Sequence, residues 1–207
     1  MSAATLERSR REAWGFAEAV VFVAGISTLG AEIAAARLIA PAFGASTVVW
    51  ANTIAVVLVA LAGGYWLGGR LADRHPHARG LALAALVGAG LVALIPLLAI
   101  PLLGVTEDAL GELSGSLLVQ LVLVAPPVLV LGALSPWAIR LRMRTVDAAG
   151  DVTGRLYALG TAGGLVGNFA ATLALIPWVG TRWTFLICAA LLAAVSIPVA
   201  WSSSRPA

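Results

Sequence analysis

Two charged side chains sit deep in an otherwise apolar stretch. Glu32 and Arg37 fall within residues 25–74, which read GISTLGAEIAAARLIAPAFGASTVVWANTIAVVLVALAGGYWLGGRLADR. A carboxylate in such a segment can hold a cation or carry a proton. A guanidinium can hold an anion or tune the carboxylate. Neither charge is cheap in lipid, so each implies a partner or a wet cavity. In a helix that starts near residue 14, Glu32 lies about 27 Å along the axis and Arg37 about one and a half turns further. Their separation of five residues puts them about 140° apart around the axis, whereas intrahelical pairs form at three or four. Each is therefore expected to find its partner on another helix. Both are candidate substrate- or proton-binding residues.

Asn52, Tyr65, Gln120 and Asn168 are the polar groups that join them as candidates for that site. The plainer reading of each is an interhelical hydrogen bond worth about 1 kcal/mol. The 25–74 stretch ends in Gly68-Gly69-Arg70-Leu71-Ala72-Asp73-Arg74. The glycines admit a neighbouring helix, and Asp73 can pair with an arginine or accept from a helix N-terminus. Arg70, Asp73 and Arg74 are thus expected to form a cytoplasmic latch. His75 and His77 flank a proline, a poor geometry for helical metal ligation, and read as solvated loop residues. The single cysteine, Cys188, lies in an apolar run. No metal site and no cofactor are expected, and no nucleophile–base–orienter set can be read.

The elements that must position these residues are membrane helices. The chain has 207 residues, 60% hydrophobic and 11% charged, with mean hydropathy +0.98; soluble domains carry about 25% charged residues. A membrane span needs about 20 apolar residues. Spacing between charges predicts six: 14–40, 47–68, 80–106, 113–139, 156–181 and 183–204. All 13 basic residues are arginine. They cluster in the N-terminal tail (Arg8, Arg10, Arg11) and in the loops with Arg70, Arg74 and Arg79 and with Arg140, Arg142, Arg144 and Arg155. The intervening loops are poor in arginine, and one holds Glu107, Asp108 and Glu112. That alternation reads as topology and not as a nucleic-acid surface, with both termini cytoplasmic in the plasma membrane. The division expected is a tail at 1–13, a six-helix domain at 14–201 and a tail at 202–207, with no cleaved signal peptide.

Pro126-Pro127 should kink or break the fourth span, because each proline removes a backbone donor. Gly64-x-x-x-Gly68, Gly160-x-x-x-Gly164 and Gly163-x-x-x-Gly167 place spans two and five at tight interfaces, more within the chain than between copies. No repeat of fixed period stands out. Six spans allow two three-helix halves of opposite topology, a transporter plan.

Two blocks, residues 25–76 and GRLYALGTAGGLVGNFAATLALIPWVGTR at 154–182, resemble the membrane domain of integral-membrane, fused transporter-like spermidine synthase-like proteins. The glycine-and-ADR element is similar, more loosely, to the loop between the second and third helices of major facilitator transporters. The aminopropyltransferase domain that accompanies the family's membrane part is not in these residues, which contain no Gly-rich strand-to-helix turn followed by an acidic residue. Catalysis by this chain is not expected. The resemblance implies an all-α, six-helix membrane bundle like half of a major facilitator protein. Such a module moves a small cationic, polyamine-like solute or docks a separately encoded synthase at the cytoplasmic face. As half of a transporter it is expected to form a homodimer or to join a partner membrane subunit. The competing expectation is a non-transporting structural or assembly subunit.

Overall fold

The computed structural model describes the backbone of residues 3–106, 109–143, 145 and 149–202, and the side chains of these except 3–14 and 202. Glu107, Asp108, Arg144 and residues 203–207 of the expected C-terminal tail lie outside the described residues, as do the side chains of Arg8, Arg10 and Arg11. The described residues form helices joined by short links: α1 (Ala3–Phe43), α2 (Thr47–Arg74), α3 (Ala78–Thr106), α4 (Glu112–Leu123), α5 (Ala125–Arg142), α6 (Ala149–Ala170), a π-helical turn (Ala171–Leu175), α7 (Ile176–Val179) and α8 (Thr181–Ser202). Five of these segments are long and apolar enough to cross a membrane, and the bent pair α4/α5 makes a sixth. The fold is an all-α polytopic membrane bundle. α1 starts at Ala3, so the expected tail continues the first span as helix.

Local chemistry explains where the spans end. Gly44 carries φ 78°, a left-handed conformation costly for other residues, and its N–H closes on the Ala40 carbonyl at 2.9 Å. Ser46 then caps α2, accepting the Val49 N–H at 3.3 Å. Span 4 bends by 49° at Val124. Pro126 and Pro127 have no N–H to give to the carbonyls of Val122 and Leu123, so the α-helical ladder cannot run through. The outer surface suits lipid: Val59, Ile100, Val105 and Leu173 are more than 60% exposed. Trp178 and Trp183 flank the Gly180 link, while Trp66 and Trp201 stand exposed toward the opposite end. That arrangement matches interfacial aromatic belts.

The spans pack in a pattern with internal symmetry. Numbering α4/α5 as span 4, α6 to α7 as span 5 and α8 as span 6, span 1 packs chiefly on span 5, span 2 on span 4 and span 3 on span 6. Exchanging spans 1, 2 and 3 with 4, 5 and 6 leaves this set unchanged. The next most extensive pairings, 1 with 6 and 3 with 4, also exchange. Each half has an odd number of spans, so the halves enter the membrane from opposite sides.

Both principal crossings are built on glycine. A Cβ on Gly163 or Gly167 would strike the backbone of Phe22 or Ile26 in α1, and one on Gly25 would strike Gly160. A Cβ on Gly64 or Gly68 would strike Leu129 or Ala133 in α5. Lipid gives helices little hydrophobic reason to associate, so this backbone proximity carries much of the packing energy. The glycine patterns act inside the chain, as expected.

Candidate functional site

Spans 1, 2, 4 and 5 leave a groove of about 270 Å³ between them. Glycines 25, 132, 160 and 164 and apolar side chains, four of them leucine, line its walls. Its polar groups are five hydroxyls: Thr28 on α1, Tyr65 on α2, Ser135 on α5, and Tyr157 and Thr161 on α6. No charged residue lines it. The hydroxyls come from both halves. Tyr65 and Tyr157 come from spans 2 and 5, and Thr28 and Ser135 from spans 1 and 4. Thr28 donates to the Ala24 carbonyl at 2.8 Å, which leaves its lone pairs free to accept. The groove therefore offers hydrogen-bond acceptors and two aromatic rings within apolar walls.

The residues singled out in the sequence scatter around this groove. Tyr65 lines it. Glu32 stands one turn beyond Thr28 on α1, half-buried, and lines neither the groove nor the second cavity described next. Arg37 is exposed and lines that second cavity, of about 280 Å³, together with Trp50, Thr53 and Thr172. Among the described residues Glu32 and Arg37 form no ion pair, with each other or with the other helices. The partners expected on neighbouring helices are not found. Asn52 is structural: its amide donates to the Leu113 carbonyl at 3.0 Å and to Ser116 Oγ at 2.8 Å, tying α2 to α4. Gln120 is fully buried and neither amide atom has a partner among the described residues. Asn168 is half-buried on α6, outside both cavities.

Of the three residues expected to form the latch, Asp73 makes an ion pair with another helix, and Arg70 and Arg74 do not. Asp73 Oδ1 accepts from Arg140 Nε at 2.9 Å, joining the ends of α2 and α5. Arg70 instead lies over the Trp66 ring of its own helix, 3.9 Å from the centroid. Arg74 ends α2 with its side chain exposed. Arg140 is thus the arginine that meets Asp73, two residues before a second ion pair. Arg142, with a 6% exposed side chain, pairs with Glu18 of α1, 14% exposed. The end of α5 is pinned to both α1 and α2.

Sequence reasoning missed Glu18–Arg142 because it assigned the α5 arginines to topology alone. The signal was present: an acid near the start of span 1 and arginines at the end of span 4 fall at the same end of the bundle. It also missed Thr28, Ser135, Tyr157 and Thr161. A hydroxyl in an apolar run costs too little to stand out, and only the packing brings these together. Comparison with protein-family models, with curated proteins and with solved structures finds no match to the chain.

Proposed function

We propose that this chain is a transporter-like membrane module that passes a small cationic, polyamine-like solute through the groove between spans 1, 2, 4 and 5. The observation that carries the reading is the groove itself, walled by four spans of the exchange-symmetric set and furnished with hydroxyls from both halves. Inverted halves that meet at a site can rock around it to expose it alternately to either side. The Tyr65 and Tyr157 rings would attract an ammonium group, and the hydroxyl oxygens would accept its N–H donors. Glu32, one turn beyond the groove and without an ion partner among the described residues, would hold the coupling proton or the cation in transit.

The same reading extends to setting. The arginine-rich ends face the cytoplasm and the module sits in the plasma membrane with both termini inside. It resembles the membrane part of spermidine synthase-like proteins and half of a major facilitator, so a second copy or another membrane subunit would complete it. Arg74, Arg79 and Arg140 are exposed at the arginine-rich end, which favours a docked soluble synthase as a second reading. The competing reading, a non-transporting assembly subunit, draws on Glu32 lying outside the groove.

The test is spermidine uptake into liposomes carrying the purified chain or Glu32→Gln. Wild-type uptake reduced about tenfold or more by Glu32→Gln supports the reading, one lost charged hydrogen bond being worth that much. Equal uptake removes Glu32 from the mechanism, and absence of uptake in both sinks transport of this solute class.

A further inference from the structure

The cavity that holds Arg37 has the makings of a second site, distinct from the groove. Its walls come from α1, from the Gly44–Ala45 link, from the first two turns of α2 and from Thr172 in the π-helical turn of span 5. Arg37 is its one charged lining residue. The guanidinium makes no ion pair and no hydrogen bond with another described residue. Two carboxylates come near in the fold, and neither neutralises it. Glu32 is about 7.5 Å back along the helix axis and does not line the cavity. Glu112 accepts from the Ser46 hydroxyl and lies outside the cavity too.

The remaining groups add positive character. Trp50 brings an indole N–H and Thr172 an exposed hydroxyl. α2, 28 residues long, begins at this wall, and its macrodipole favours an anion there. Of its first N–H groups, Val49 is capped by Ser46 and Trp50 bonds back to the Ser46 carbonyl, whereas Thr47 and Val48 have no backbone acceptor. A full positive charge without an ion partner among the described residues, an indole side chain and a hydroxyl thus line one concavity beside the start of α2.

Depth and geometry select the anion. Arg37 is six residues from the end of α1 at Phe43, about 9 Å along the axis, which is headgroup depth at the arginine-poor end of the bundle. A guanidinium matches phosphate as a planar two-pronged donor. We infer that the Arg37 cavity binds a phosphate group, presented by a phospholipid from the adjoining leaflet. Free inorganic phosphate shares that chemistry and is the alternative source.

Native mass spectrometry of the detergent-solubilised full chain tests this, with dioctanoyl phosphatidylglycerol and inorganic phosphate as separate probes. Wild type is expected to retain the lipid, with Arg37→Gln lowering its affinity about tenfold or more and Arg37→Lys retaining part of it. Thr172→Trp, which fills the cavity and leaves Arg37 in place, is expected to lose the lipid as well, so the test survives if one variant fails to fold. Retention of inorganic phosphate that depends on Arg37 supports the site and assigns it to the free anion. Equal retention of the lipid by wild type, Arg37→Gln and Thr172→Trp, or retention of neither probe by wild type, overturns the inference.

Discussion

At the scale of single residues, charge placement separates stability from function. The Glu18–Arg142 pair is nearly enclosed, so removing one member strands the other. Arg142→Met is expected to cost about 3–5 kcal/mol, while replacing both members with apolar residues is expected to cost far less. Thermal unfolding in detergent reads the difference. Asp73–Arg140 is solvent-exposed at 71% and 47%, and Asp73→Asn is expected to cost less than about 1 kcal/mol. A larger loss would mean that Asp73 holds more than Arg140. Of these four charges only Asp73 stood out in the sequence, the arginines reading as topology, and none of the partners was legible. Asp73 and Arg140 are 67 positions apart and Glu18 and Arg142 are 124 apart, so only the fold brings them together. Glu32 shows the converse. It was the most conspicuous residue in the sequence, and the structure puts it beside the groove and not in its lining.

At the scale of elements, the helices were read closely because membrane spans declare themselves by length and apolarity. All six expected segments match observed helices, and the proline pair falls at the observed break. The glycine patterns were legible as interfaces, but the helices they meet were not, because a small-residue pattern carries no address. Contrasting glycines test the packing account. Gly167→Ala would drive a methyl into the Ile26 backbone and is expected to cost about 1–3 kcal/mol. Gly90→Ala, with open space around it in α3, is expected to leave stability unchanged or raise it by up to about 1 kcal/mol, since alanine is the better helix former. Equal melting shifts for the two would contradict glycine-mediated crossing of spans 1 and 5.

At the scale of the whole molecule, the exchange of spans 1, 2 and 3 with 4, 5 and 6 is the organising feature. It was open in the sequence as a possible plan and had no visible repeat to support it. Helix packing requires only small residues at crossings and apolar residues elsewhere, so two halves can share an arrangement without sharing a sequence. The groove lies where four of the six spans meet, and each of the four contributes at least one hydroxyl to it. The central claim is that solute passes through this groove. Thr161 lines it and is exposed, so Thr161→Trp should fill it without disturbing the glycine crossings. The most direct measurement is spermidine uptake by liposomes carrying wild type or Thr161→Trp at matched, folded incorporation. The account predicts uptake by wild type and its near-complete loss in the variant; uptake of equal rate in both would contradict it.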